Sequence, residues 1–294
     1  MKKLRLAITL LVICGMLAGC SRPQRESIVV GSKDFTEQHI LGYVLTLLIE
    51  ANTDLDVTYR SNMASHVIFA AIRTGAVDVV ADYAGTVYGY YLGFSYTRAP
   101  GEVLDISARE LGERYNLLML DPLGFNNTFA LAIKPGAAAE YNIKTFSDLA
   151  EVSYNFIFSG SAEIISRNDG LPNLQRVYGM RFKETRVAHE IERYAAIMSG
   201  EVQVTEVFAT DGMIKEYDLV VLEDDKNALP PYYGVIIIRG ETAEKHPELL
   251  EILGRLAGML SDDIMRGLNY RVDVLDENPK DVAESFLRNN NFIK

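Results

Sequence analysis

The chain has 294 residues, about twice a typical domain, so it holds one large or two medium domains. Hydrophobic residues make up 48% and aromatics 10%, with no Trp, which is the composition of an ordinary globular protein with enough apolar material for a core. The formal net charge of −11 argues against nucleic acid and anionic membrane surfaces as partners and only weakly favours a cationic one.

Met1-Lys2-Lys3-Leu4-Arg5 is basic, and Leu6 to Met16 is apolar but too short to span a bilayer. Leu17-Ala18-Gly19-Cys20 follows. This order resembles the lipobox of bacterial lipoproteins, which implies that residues 1–19 are removed and that Cys20 is acylated as the mature N-terminus. The other cysteine, Cys14, is lost with the leader. No thiol then remains for a disulfide, a metal or a nucleophile. Residues 20–27 are the lipidated Cys and a polar, Pro-containing tether. The expected product is exported, held at a membrane face and otherwise soluble.

From here strands and helices alternate. "SIVVGS" is a β-branched run ending in a turn, and "DFTEQHILGYVLTLLIEA" has helical spacing at Ile40, Leu41, Val44, Leu45, Leu47 and Leu48. Asp34 and Glu37, three apart, look like a capping pair at its start. "LDVTYR" reads as a strand, "SHVIFAAIRTG" as a helix, "AVDVVADY" as a strand and "AGTVYGYYLGF" as a helix start. "ISARELGERYNLLML" is a helix with a strand at its end, "FALAIK" a strand, "TFSDLAEV" a short helix and "SYNFIFSG" a strand. "GLPNLQRVYGM" and "EIERYAAIMSG" are helices, "VQVTEVFA", "DLVVLED" and "YYGVIIIRG" strands, and the last fifty residues or so mostly helical. This is the grammar of parallel sheets covered by helices.

One phrase occurs twice. "AIRTGAVDVVADYAGT" (71–86) and "AIMSGEVQVTEVFATDG" (196–212) align at Gly75 and Gly200. Val77 and Val79 then fall on Val202 and Val204, and Tyr83 falls on Phe208. Each copy reads as a helix, a glycine stop, and a strand ending in an aromatic. In open parallel sheets ligands bind beyond the carboxyl ends of the strands. Two facing lobes would put Tyr83 and Phe208 on opposite walls of one cleft. Aromatic faces suit a cation without hydrogen-bond donors, such as a quaternary ammonium group. The helix start at Thr36-Glu37-Gln38 offers free amides and a positive dipole end to an anion such as a ligand carboxylate.

"VGSKDFTEQHILG" (30–42), "DYAGT" (82–86), "GFNNTFALA" (124–132), "RNDGLPNLQRVYGM" (167–180), "TDG" (210–212) and "LVVLEDDKNALPPYY" (219–233) stand in order along the chain. Together they resemble the substrate-binding proteins of osmoprotectant ABC importers, which take up glycine betaine, choline and related quaternary amines. The resemblance implies an α/β, two-lobed type II periplasmic-binding-protein fold with two hinge crossings, placed near 122–126 and 230–236. Residues 28–123 and 234–294 would form lobe I and 124–233 lobe II. It implies ligand-binding roles for Gln38, Tyr83, Thr86, Asn127, Phe129, Phe208, Asp211 and one of Tyr232 or Tyr233, with Tyr232 preferred. It departs from the family pattern at Ala84, where Thr is usual. Phe129 and Phe208 often are Tyr there, and Ile164 often is Phe. Phe keeps the ring face but loses the hydroxyl.

Catalytic signatures are poor. Gly31-Ser32-Lys33 lacks the spacing of a phosphate loop, and "FSGSA" is no nucleophile elbow. His189-Glu190 has no second His four residues on for a zinc pair. His39, His66, His189 and His246 are scattered and read as surface or capping residues; Asp224 and Asp225 read as a solvated turn. The expectation is a monomeric, lipid-anchored binder of a quaternary amine with no metal or cofactor, working with an ABC permease and ATPase. A solute-sensing lipoprotein with the same clamshell is the alternative.

Overall fold

The computed structural model of the chain describes residues 26–94, 100–168 and 170–294. The leader, Cys20 and the tether up to residue 25 lie outside the described residues.

The first half builds β1 (Ser27–Lys33), α1 (Thr36–Asn52), β2 (Asp56–Met63), α2 (Ser65–Thr74) and β3 (Val79–Tyr83). A π-helical turn follows at Thr86–Tyr91 where the sequence reads as an ordinary helix start. Such turns are rare and are frequent at functional sites. Next come α3 (Pro100–Tyr115) and β4 (Leu117–Met119). The second half holds β5 (Phe129–Ile133), α4 (Pro135–Tyr141), α5 (Phe146–Val152), β6 (Ile157–Gly160), α6 (Ala162–Ser166), α7 (Leu171–Tyr178) and β7 (Glu184–Val187). It continues through α8 (Glu190–Ser199), β8 (Val204–Phe208), α9 (Gly212–Glu216) and β9 (Val220–Val221). The chain then returns through β10 (Gly234–Arg239) to α10 (Gly240–Lys245), α11 (Glu248–Gly254), α12 (Asp262–Asp273) and α13 (Pro279–Asn289).

The described strands form two five-stranded sheets, in the orders β2-β1-β3-β10-β4 and β7-β6-β8-β5-β9. Three strands of each run parallel, and the fourth, which enters from the other lobe, is antiparallel to the third. The two orders are the same pattern, and β3 and β8 occupy the same place in it. The duplicated phrase is therefore a duplicated position in two sheets. Gly75 and Gly200 end their helices at φ 79° and 84°, the left-handed region that glycine enters without steric cost.

Helices cover both faces of each sheet, which is why β3 and β5 are buried at every residue. On one face of the first sheet, α1 buries Ile40, Leu41, Val44, Leu45 and Leu48 against Val282, Phe286 and Leu287 of α13. On the other, Ile68 and Ile72 of α2 pack with Val80, Tyr88 and Leu111. The second sheet is covered likewise by Phe146, Leu149 and Leu174 on one face and Tyr194 and Ile197 on the other.

The chain crosses between sheets twice, from Met119 to Phe129 and from Val221 to Gly234. The crossings are hydrogen-bonded to each other: Leu123 N donates to Gly234 O at 2.8 Å and Asn127 N to Tyr232 O at 3.1 Å. The Asn126 side chain accepts from Tyr232 N at 2.7 Å. Asp224 is not a solvated turn residue. It accepts from Ala228 N at 2.9 Å, from Leu229 N at 2.7 Å and from the Tyr178 hydroxyl, and so shapes the return crossing. Asp225 accepts from Ser147 Oγ at 2.6 Å.

Candidate functional site

The carboxyl ends of β3 and β8 open into a cleft of ≈ 1070 Å³. Sheet register explains which aromatics reach it. β5 runs antiparallel to β8 with Phe129 opposite Phe208, so the first residue of one strand stands beside the last of the other. β10 is antiparallel to β3 with Gly234 opposite Tyr83, which brings Tyr232, two residues before, to the same end. The Phe129 and Phe208 ring centroids are 5.1 Å apart, and Tyr232 meets Phe129 edge-on at 6.4 Å. Phe35, ahead of α1, stacks on Tyr83 at 6.3 Å. Gly85 has an ordinary φ of −62°, but a Cβ there would lie 2.5 Å from Pro231 O and 2.8 Å from Tyr232 Cδ1. The missing side chain is what lets Tyr232 lie over the end of β3.

Of the predicted site residues, Tyr83, Thr86, Asn127, Phe129, Phe208, Asp211 and Tyr232 all line this cleft. Gln38 does not. It is fully buried below the wall, and its Oε1 accepts from Lys33 N at 3.3 Å. Its neighbour Glu37 takes the wall position. Helical spacing turns consecutive residues about 100° apart, so only one of the two can face the cleft. Asp211 is the N-cap residue of α9, and its Oδ2 accepts from Phe208 N and from the Tyr194 hydroxyl, both at 2.9 Å. It therefore fixes the end of β8. Thr86 opens the π-helical turn.

Glu37 is not a helix cap. Phe35 is the N-cap residue of α1 with no side-chain cap bond. The Glu37 Oε1 accepts from the Tyr83 hydroxyl at 2.7 Å and from Asn127 Nδ2 at 2.9 Å. Its Oε2 accepts from Thr210 Oγ1 at 2.6 Å and Asn269 Nδ2 at 3.0 Å. Burial pushes its carboxyl pKa up, against the lowering effect of these four bonds. Burial, with the Glu37 charge beside it, raises the Tyr83 phenol well above its usual range. At this first turn it is therefore the Glu37 carboxyl, tied to four side chains from other segments, that takes the place on the cleft wall.

Lys33, at the end of β1, carries no sequence signal for a site, yet it lines the cleft. Its ammonium group is ion-paired with buried Asp82 and lies 5.0 Å from the centroid of the Tyr83 ring. Asp82 also accepts from the Tyr91 hydroxyl at 2.6 Å and from Tyr83 N at 2.7 Å. His66 is exposed, as expected from the sequence, and lines the cleft. Arg167 and Glu163 come from the second lobe. The acidic lining residues Glu37, Glu163, Asp211 and Asp273 outnumber the basic Lys33 and Arg167. Among the described residues no group of three or more His, Cys, Asp or Glu is placed to hold a metal ion.

Two facing sheets, a cleft at their strand ends and aromatic walls suit capture of a small molecule. Residues 26–289 match the family described as the substrate binding domain of ABC-type glycine betaine transport systems. The chain belongs to this family. It is a substrate-binding protein of an ABC transport system and not an enzyme, and such proteins are extracytoplasmic. Among its relatives, the ergothioneine transport permease/ergothioneine binding protein EgtU of Helicobacter pylori (strain G27) is 37% identical over 268 residues. That match covers 90% of this chain and 48% of EgtU, so the chain spans about half the length of that relative. The carnitine transport binding protein OpuCC of Listeria monocytogenes is 30% identical over 296 residues, covering 98% of this chain and 96% of OpuCC. A crystal structure of a glycine betaine/carnitine/choline ABC transporter has the same fold, with a TM-score of 0.87 at 28% identity. It covers 91% of this chain and 100% of that one. The family fold is the two-lobed type II periplasmic-binding-protein fold, as the matching sheet orders require.

Proposed function

We propose that the protein captures a quaternary-amine osmoprotectant, closes its lobes around it and presents it to an ABC permease. In this reading residues 28–123 and 234–294 form one lobe and 124–233 the other. The lipid on Cys20 holds a monomer at the extracytoplasmic membrane face. The observation that carries the reading is the aromatic group at the strand ends, Phe129, Phe208 and Tyr232 with Tyr83 across from them. Ring faces attract a methylated ammonium group, which has no hydrogen-bond donor to satisfy. Thr86 is the side chain assigned to the ligand carboxylate, and Arg167 is a cationic side chain lining the same cleft from the second lobe. Ligand favours the closed form because it touches both lobes, by as much as its affinities for the two forms differ.

A second reading is favoured by the size of the cleft. At ≈ 1070 Å³ it has room for far more than glycine betaine. A betaine with a larger body would occupy more of it, and the Helicobacter pylori relative is named for ergothioneine, a trimethylammonium betaine bearing a ring. Isothermal titration calorimetry with glycine betaine, choline, carnitine, proline betaine and ergothioneine ranks the two readings. Glutamine serves as the unmethylated control. Saturable binding of one or more methylated amines, and none of glutamine, is the expected result. Silence from all five in a folded, ligand-free sample would overturn the reading.

A further inference from the structure

We propose that the Glu37 carboxylate is the counter-charge for the ligand's quaternary ammonium group and the link between ligand binding and lobe closure. The inference rests on the quaternary-amine reading for its ligand.

Among the described residues three carboxylates are buried, on β3, β8 and the first turn of α1, and they are not treated alike. Asp82 is paired with Lys33. Glu206, fully buried in β8, accepts from Ser161 and lies 3.6 Å from Arg193 Nη1. Glu37 is 3% exposed. Among the described residues it has no Lys, Arg or His within ion-pair distance; its four donors are Tyr83, Asn127, Thr210 and Asn269, all neutral. A buried charge without a counter-charge is costly, and hydrogen bonds offset only part of that cost. The raised pKa of this carboxyl is the same cost seen as protonation.

Glu37 also lines the cleft, and its carboxylate accepts from the hydroxyl of Tyr83, another lining residue. A cation held there supplies the missing charge. A quaternary ammonium group fits the situation better than a lysine would. It carries no N–H, so it approaches the carboxylate without displacing any of the four donors. The two oxygens draw on separated parts of the fold. Oε1 is held by the end of β3 and the outgoing crossing, and Oε2 by Thr210 beyond β8 and Asn269 of α12. Thr210 belongs to the second sheet's lobe, and Asn269 also donates to Thr210 O at 2.8 Å. A cation that stabilises the charge therefore stabilises bonds that cross between lobes.

The test compares choline with its neutral carbon isostere, 3,3-dimethylbutan-1-ol, on the purified wild-type protein and on Glu37→Gln. Calorimetry reads the ratio of affinities, and small-angle scattering reads compaction at saturating choline. The expected result is that wild type favours choline by about tenfold or more, as for a desolvated cation beside a charge, and that the substitution removes most of that preference and the compaction. An unchanged preference in a folded Glu37→Gln protein would overturn the counter-charge. Unchanged compaction would overturn the link to closure. If Glu37→Gln does not fold, Glu37→Asp carries the test. It keeps the charge and shortens the reach, so affinity for both compounds should fall while the preference for choline survives; loss of the preference would overturn the proposal. Wild-type protein that binds neither choline nor any other methylated amine would overturn the quaternary-amine reading, and this inference with it.

Discussion

Replacing Phe208 by Leu separates the ring's electrostatics from its bulk. Phe208 is only partly buried, ends β8, and faces the Phe129 ring at 5.1 Å with an interplanar angle of 30°. Leu keeps most of the apolar volume and removes the quadrupole. Without ligand the loss is one aromatic pair, about 0.5–1.5 kcal/mol. With a quaternary amine bound, one ring face is also lost, worth about 0.5–2 kcal/mol in a desolvated site. The dissociation constant should therefore rise by about two- to thirtyfold. Calorimetry against choline and 3,3-dimethylbutan-1-ol, with a thermal melt beside it, reads this directly. Choline should weaken and the neutral isostere should not. Equal losses for both compounds, or none for either, would refute the assignment of Phe208 to a cation-binding wall.

Gly85→Ala should displace the Tyr232 ring, lower stability by about 1–3 kcal/mol and weaken amine binding, because the new Cβ meets Pro231 O and that ring. Unchanged melting and binding would remove Tyr232 from the wall. Asp224→Ala leaves the amides of Ala228 and Leu229 and the Tyr178 hydroxyl without their acceptor, so denaturant unfolding should show a loss of about 2–3 kcal/mol. A loss within error would mean that the return crossing does not depend on this carboxylate. Glu37 gives a pH dependence. Its folded pKa is raised, so the native state holds more protons than the unfolded one above the ordinary carboxyl range. Its contribution to apo stability is thus greatest below the unfolded value and is lost as pH rises through the folded one. A bound cation favours the ionised form, so amine binding should release protons in that window. Calorimetry in buffers of different ionisation enthalpy counts them, and zero release across the window refutes the assignment. Ligand at about a hundred times its dissociation constant should add ~2.7 kcal/mol of stability, read as a rise in melting temperature.

Much of this was legible because it is local. Helical spacing in "ILGYVLTLLIE" sets the buried stripe of α1, and glycine at Gly75 and Gly200 ends a helix by a backbone requirement that no partner need supply. The duplicated phrase fixed Tyr83 and Phe208 at the ends of equivalent strands, since strand length and helix stop repeat together. β7, Glu184–Val187, gave no such signal. It is a short edge strand exposed at most positions, so neither alternation nor an apolar run marks it.

The sequence by itself determined the two-lobed α/β grammar, the internal repeat and a set of aromatics suited to a methylated cation. Only the tertiary structure decided which first-turn residue of α1 faces the cleft. Spacing makes Glu37 a capping partner of Asp34, because local rules see only residues three or four apart. Its real partners, Tyr83, Asn127, Thr210 and Asn269, come from four separate segments, and only the packing of two sheets and the C-terminal helices brings them within hydrogen-bond distance. The pairing of Phe129 with Phe208 has the same origin. It follows from the register of two antiparallel strands, which pairwise contacts across the sheet set and neither strand encodes alone.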